Sequence, residues 1–135
     1  PKKLHPMKNL NVLLVLLMIF AAASVNSQVS NNDKQIKFKK GESSATIAGS
    51  VIRGEENSYV LNANKNQKMV VTISSTEDNA VFRIKDRSSR YYLDGAGEID
   101  DAMKWEGTLP SDGEYKIIIG GTRGNAEYTL TVSIQ

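Results

Sequence analysis

Apolar and polar residues alternate at every second position along much of the chain after residue 58. This period of two places one side of each β-strand in the protein interior and the other side in solvent. We therefore predict that the apolar members of these runs form the core. They are Tyr59, Leu61, Ala63, Met69, Val71, Ile73, Phe82, Ile84, Tyr115, Ile117, Ile119, Tyr128, Leu130, Val132 and Ile134.

Turn-forming residues separate the alternating runs at short and fairly even intervals, at 54–57, 64–66, 77–79, 110–113 and 120–125. No stretch after residue 28 keeps the 3.6-residue period of a helix. Short strands with frequent turns predict an all-β fold, a single antiparallel β-sandwich or barrel of about seven to nine strands. The less regular stretch from Asp86 to Lys104 is predicted to be a long connection with one short strand at Arg90 to Leu93.

The N-terminal segment has the pattern of a secretory signal peptide. Lys8 precedes an unbroken apolar run of 12 residues, Val12 to Ala23, which ends in small residues. A membrane-spanning helix needs roughly 18 to 20 such residues, so we predict no membrane span after cleavage. Cleavage is expected between Ser27 and Gln28, or alternatively after Ser24. The predicted organisation is 1–27 upstream residues and cleaved signal peptide, 28–34 a flexible tether, and 35–135 the β-sandwich domain of a periplasmic or secreted protein.

Loss of the leader changes the charge of the protein. The whole chain has 17 basic and 15 acidic residues and a sequence pI near 8.9. Removal of Lys2, Lys3 and Lys8 leaves 14 basic residues against 15 acidic ones, so the mature domain is near neutral. We expect no nucleic-acid partner, because such binding needs a concentrated basic face. The absence of cysteine excludes disulfides and a thiol nucleophile.

The residues also argue against an enzyme. The only histidine, His5, lies upstream of the leader, so the mature chain has no base for a Ser-His-Asp arrangement. A pair of carboxylates for glycoside hydrolysis stays open among the acidic residues. We predict a non-enzymatic protein without a cofactor.

Oxygen ligands alone favour hard cations, so Ca²⁺ is the one metal to consider. The carboxylates between residues 94 and 101 make a weak calcium candidate that does not match an EF-hand loop. The prediction is a solvated acidic loop and no metal. The four carboxylates are those of Asp94, Glu98, Asp100 and Asp101.

Two groups of side chains are candidates for binding. Trp105, with Tyr91 and Tyr92, can form an aromatic surface on which sugar rings stack, or Trp105 can be a half-buried core residue. Arg123 follows Thr122 among glycines 120, 121 and 124, so it is predicted to project from a hairpin tip. An exposed guanidinium binds a carboxylate through two parallel hydrogen bonds, although it also serves as a plain solubilising charge.

Several segments resemble the bacterial periplasmic inhibitors of g-type lysozyme and, more broadly, bacterial pre-peptidase C-terminal β-sandwich domains. The resemblance covers nearly all of the mature chain. It rests on Phe38-Lys-Lys-Gly-Glu-Ser-Ser-Ala45 leading into Gly49, Tyr59-Val-Leu-Asn-Ala63, Gln67-Lys-Met-Val-Val-Thr-Ile73, Trp105-Glu-Gly-Thr-Leu-Pro-Ser-Asp-Gly-Glu-Tyr115 and Tyr128-Thr-Leu-Thr-Val-Ser-Ile134.

The resemblance implies an exported inhibitor whose hairpin loops enter the cleft of a lysozyme. In that family an aromatic residue after the glycine of the second hairpin and arginines of the last hairpin make key contacts. Here Glu55 follows Gly54 in place of the aromatic, Arg123 matches one arginine, and Glu127 stands where the second would fall.

The turn from Leu109 to Tyr115 resembles a Ser-Gly-x-Tyr turn of lysozyme inhibitors, and a structural role also explains it. The first hypothesis is thus a lysozyme inhibitor. The alternative is a non-catalytic glycan-binding or cell-envelope-binding module that uses Trp105, Tyr91 and Tyr92. The predicted inhibitory contacts are Arg123, Thr122, Glu55, Ser111 and Tyr115.

Overall fold

The computed structural model describes residues 32 to 135. The predicted signal peptide at 1–27 and the first part of the tether, 28–31, lie outside the described residues. Within 32 to 135 there are eight strands and no helix, which confirms the all-β prediction and the strand count. The strands are β1 Lys34–Gln35, β2 Ser44–Val51, β3 Glu56–Ala63, β4 Lys68–Ser75, β5 Ala80–Asp86, β6 Lys104–Thr108, β7 Gly113–Gly121 and β8 Ala126–Ile134.

The strands form two sheets of four, in the orders β1-β3-β7-β5 and β2-β8-β4-β6. The fold is therefore a sandwich. Every pairing is antiparallel except the short parallel pair of β1 with β3. Successive strands belong to opposite sheets, so each connection crosses between the sheets and the loops collect near the ends of the sandwich.

The alternating residues form the core, as predicted. Val71 of β4 lies opposite Val132 of β8, and neither has any exposed surface. Fourteen of the fifteen predicted core residues are buried, and Ile134 is partly buried against them. Each large apolar side chain taken from water in this way contributes about 1.5–3 kcal/mol to folding.

The long connection between β5 and β6 covers the free edge of β5. The main-chain N–H groups of Phe82 and Ile84 donate to the carbonyls of Ala102 and Ala96, each at 2.9 Å. Ala96 and Ala102 are buried, so the connection is held against the sandwich at two points. An edge covered in this way is protected from pairing with another chain.

The prediction of a short strand at Arg90 to Leu93 is wrong. The segment contributes one isolated bridge, between Tyr92 and Lys85. A turn precedes it, in which the Arg90 N–H donates to the Asp86 carbonyl at 2.8 Å and Arg90 adopts a left-handed φ of 69°. A second turn follows, closed by the Ala96 N–H on the carbonyl of the buried Leu93 at 2.9 Å, so the pairing with β5 ends after this one bridge.

The first described residues are attached to the domain. Strand β1 begins at Lys34, and the carboxylate of Asp33 forms ion pairs with Lys116 at 3.2 Å and Arg87 at 3.3 Å. Residues 33 and 34, assigned to the tether by sequence, thus contact the domain. The described part of the chain has no helix long and apolar enough to cross a membrane.

Candidate functional site

The loops of the sandwich are divided between two ends, which strand β7 connects. Its C-terminal residues lie beside the start of β3 and β5, and its first residue, Gly113, lies beside the last residue of β3. Nine residues of strand span about 30 Å. We call the end formed by loops 52–55, 76–79 and 122–125 the Arg123 end. The opposite end, with loops 64–67 and 109–112 and the turn at 87–90, is the Asp86 end.

Arg123 lies at the tip of the loop between β7 and β8, as the flanking glycines predict. Gly124 has a φ of 65°, a conformation that glycine adopts readily, and this allows the tight turn. Arg123 is exposed, and its Nη2 donates to the main-chain carbonyl of Glu77 at 2.5 Å. No ion pair to Arg123 occurs among residues 32 to 135. Most of its donors therefore remain available to a partner.

Asn79 holds this loop in place from below. It is 2% exposed, and its Nδ2 donates to the carbonyls of Arg123 and Asn125, each at 3.0 Å. Its own carbonyl accepts the N–H of Thr122 at 2.9 Å. The main chain on both sides of the Arg123 tip is thus fixed by one buried residue.

The loop between β2 and β3 lies beside the Arg123 loop. The Arg53 N–H donates to Oδ1 of Asn125 at 2.7 Å, and the Glu55 N–H closes the turn on the carbonyl of Ile52 at 2.9 Å. Arg53 and Glu55 are exposed, and Ile52 is 59% exposed. Within the described chain Arg53 has no ion pair. Sequence reasoning missed Arg53, although its place just before the turn residue Gly54 was a usable signal.

The Arg123 end carries both signs of charge. Arg53 and Arg123 are accompanied by Glu55, Glu77 and Asp78, all exposed. The end therefore does not produce a cationic field that attracts a partner from a distance. Its arginines act as short-range hydrogen-bond donors.

Two tyrosines join the sheets beneath these loops. The hydroxyls of Tyr59 on β3 and Tyr128 on β8 are 2.6 Å apart. Asn57 Nδ2 donates to the Tyr128 hydroxyl and to the carbonyl of Ser50, both at 2.8 Å. Burial, followed by the hydrogen bond with Tyr128, raises the pKa of Tyr59. Tyr59 therefore stays neutral, and its hydrogen bond with Tyr128 fixes the base of the loop between β2 and β3.

The structure places Ser111 and Tyr115 at the Asp86 end, away from Arg123. Tyr115 is fully buried, and its hydroxyl donates to the Ser111 carbonyl at 2.7 Å. Ser111 Oγ donates to Asp86 Oδ2 at 2.6 Å. Tyr115 is buried and so offers no surface to a partner, and the hydrogen bonds of both residues serve the fold at this end.

Asp86 is the centre of this second network. It is 3% exposed and accepts hydrogen bonds from the side chains of Ser111 and Ser88 and from the Ser88 N–H. Burial acts to raise the pKa of Asp86, but these hydrogen bonds outweigh it, so the pKa is lowered. The carboxylate is consequently ionised and fully occupied within the fold.

The three aromatic residues have different environments. Trp105 is half-buried against the core, its Nε1 donates to the Asp94 carbonyl at 2.8 Å, and its ring covers Gly107. The Tyr92 ring lies 5.7 Å from the cationic groups of Arg83 and Lys85. Only Tyr91, 77% exposed, is mainly in solvent. The three rings border one shallow depression. Two of them, Trp105 and Tyr92, already interact with other groups of the protein.

The acidic loop does not gather its carboxylates. Asp100 Oδ2 accepts the Gly97 N–H at 2.7 Å, and Glu98 Oε1 accepts the Tyr92 hydroxyl at 3.5 Å. In the described range there is no group of three or more His, Asp or Glu residues arranged to hold a metal ion. Asp94, Glu98, Asp100 and Asp101 are thus not grouped around a common point.

Comparison with solved structures gives clear matches. The chain aligns with the crystal structure of Aeromonas hydrophila PliG, a periplasmic lysozyme inhibitor of g-type lysozyme, at a TM-score of 0.66 and 28% identity. The match covers 77% of this chain and 96% of that one. The protein has the fold of these periplasmic inhibitors. Salmonella Typhimurium PliG matches at 0.62 and 23% identity, over 78% of this chain and all of that one.

The same fold extends to a wider group. The pre-peptidase C-terminal domain of a Bacillus anthracis collagenase matches at a TM-score of 0.56 and 17% identity, over 82% of this chain and 100% of that domain. The likeness to the inhibitors and to pre-peptidase domains inferred from the sequence is therefore confirmed. No protein-family model matches the chain, and the search of curated proteins returned no match.

Proposed function

We propose that the protein is an exported, non-catalytic inhibitor of g-type lysozyme that binds the enzyme through the Arg123 end. The observation that carries the proposal is the exposed Arg123 tip, held in shape by Asn79 with most guanidinium donors unused. The fold shared with Aeromonas hydrophila PliG over 96% of that protein supports the same reading. The signal-peptide pattern at 1–27 supports a periplasmic or secreted location.

The chemistry of the contact follows from the guanidinium group. Its planar donors match a carboxylate through two parallel hydrogen bonds, and glycoside-cleaving enzymes depend on carboxylates in their clefts. Arg123 inserted into such a cleft would pair with a catalytic carboxylate and block substrate. Loop 52–55 would add the apolar surface of Ile52 and the donors of Arg53, with Thr122 and Glu55 at the margin.

The test measures inhibition of g-type, c-type and i-type lysozymes on bacterial cell-wall suspensions by the protein purified after export. We expect selective inhibition of the g-type enzyme. Arg123→Ala should weaken it about thirtyfold, the effect of losing roughly 2 kcal/mol at a central contact. Lys65→Ala is the matched control, because Lys65 is an exposed cation at the Asp86 end.

Inhibition that survives Arg123→Ala but is lost with Lys65→Ala would contradict the assignment of the binding end. Inhibition of no lysozyme class at micromolar protein would contradict the function itself. In that case the alternative, a glycan-binding module, has one observation in its favour, the exposed Tyr91 ring beside Trp105. Binding to peptidoglycan that is lost on Tyr91→Ala would then support it.

A further inference from the structure

Loops from both sheets meet at the Arg123 end through a single set of hydrogen bonds. Asn79 is one of two buried polar residues in the described chain, the other being Asp86. The Asn79 N–H donates to Oγ of Ser75 at 2.9 Å, which fixes loop 76–79 to the end of β4. Its carbonyl and both amide hydrogens are directed to loop 122–125. One residue therefore ties two loops together by three separate bonds.

Asn125 extends this connection to the third loop. Its carbonyl accepts from Asn79, while its side-chain Oδ1 accepts from the N–H of Arg53. The connection thus runs from Asn79 through Asn125 to Arg53. Residues 44 to 72 positions apart in sequence are joined in this way.

We propose that Asn79 is a positioning residue that, through Asn125, joins loops 52–55, 76–79 and 122–125 into one contact surface presenting Arg53 and Arg123 to the carboxylates of a protein cleft. This proposal rests on the proposed inhibitor function for its partner. The coupling of the three loops can be measured in the absence of a partner. The physical reason for such a device is that loops already ordered before binding lose less conformational entropy when a partner arrives.

Asn79 itself does not contact the partner, because it is buried. Its effect is exerted through the main chain on each side of Arg123 and through Asn125 on Arg53. Arg53 thereby becomes a second contact cation, supplied by a different loop from Arg123. Replacement of Arg53 by alanine should weaken inhibition without loosening either loop.

The experiment compares backbone amide hydrogen exchange and lysozyme inhibition in the wild type, Asn79→Ala and Asn125→Ala. Ser111→Ala is the control, because it removes part-buried hydrogen bonds at the Asp86 end only. In Asn79→Ala we expect at least tenfold faster exchange at Thr122 and Arg53 and about tenfold weaker inhibition. In Asn125→Ala the Arg53 amide should exchange faster while Thr122, bonded to the Asn79 carbonyl, stays protected.

Unchanged exchange at Arg53 in both variants would overturn the proposal, whether or not the protein inhibits a lysozyme. Loosened loops with full inhibition in Asn79→Ala would overturn the positioning role. If Asn79→Ala fails to fold, Asn125→Ala decides, because Asn125 is exposed. A wild type that inhibits no lysozyme would defeat the partner assignment, and the exchange data would still decide the coupling of the loops.

Discussion

The two ends of the sandwich each contain one buried polar residue, and they use it in opposite ways. Asp86 accepts hydrogen bonds from neighbouring serine side chains, so the polar groups of its end are turned inward. Asn79 donates to the main chain of a loop whose side chains remain exposed. At the Asp86 end the buried residue forms hydrogen bonds with side chains, which stabilises the fold but leaves those side chains less able to bind a partner. At the Arg123 end the buried residue forms hydrogen bonds with the main chain, so the side chains of the loop stay free to bind.

The largest expected effect is a loss of stability at the Asp86 end. Asp86→Ala should lower the free energy of unfolding by about 3 kcal/mol, because the hydroxyls of Ser88 and Ser111 lose a charged acceptor. Denaturant titration measures the loss. Lysozyme inhibition, assayed where the variant is still folded, should stay at the wild-type level. A parallel fall in inhibition would show that the two ends are not independent.

The second effect concerns the support beneath the Arg123 end. A methyl group at Gly49 would lie 2.6 Å from the Tyr128 hydroxyl, which Tyr59 and Asn57 hold in place. Gly49→Ala should therefore cost about 2 kcal/mol of stability by thermal or denaturant unfolding. Gly120→Ala, where a methyl group meets nothing within 4 Å, is the matched control and should be nearly neutral. Equal losses in the two variants would argue against a fixed Tyr128.

A smaller effect follows from the lowered pKa of Asp86. Because the folded state holds this carboxyl ionised more strongly than the unfolded state, its contribution is complete above the unfolded pKa of about 4. The contribution is lost as the pH falls through the lower folded value. The stability advantage of wild type over Asp86→Asn, measured by unfolding between pH 6 and pH 2, should thus shrink below about pH 4. An advantage that grows as the pH falls would show that the pKa of Asp86 is raised by folding and not lowered.

The smallest effect is expected at Glu55. Its side chain is exposed, with no hydrogen bond or ion pair among the described residues, so Glu55→Ala should leave thermal stability unchanged. Inhibition should change by less than about threefold, as for a charge at the rim of an interface. A tenfold loss in the same inhibition assay would move Glu55 from the margin to the centre of the contact.

The sequence predicts the core of this fold well and the connections between its loops poorly. A strand exposes alternate residues by geometry, so runs such as Met69 to Ile73 reveal their buried side directly. Arg123 was placed at a tip because glycines surround it. Asn79 and Asn125 gave no comparable signal, since polar residues in turns look alike and their partners lie far away in sequence. The position of Ser111 and Tyr115 at the Asp86 end was not foreseen, because a local motif does not say which end of the sandwich it occupies.

The strand order also has a consequence for when the chain can fold. Strand β7 lies between β3 and β5 in one sheet, and β8 lies between β2 and β4 in the other. One of the two inner strands of each sheet is thus among the last two of the eight strands to be synthesised, and neither sheet can be completed before residues 113 to 134 are available. Pairings so distant in sequence form slowly. The sandwich is therefore completed only after strand β8 has been made.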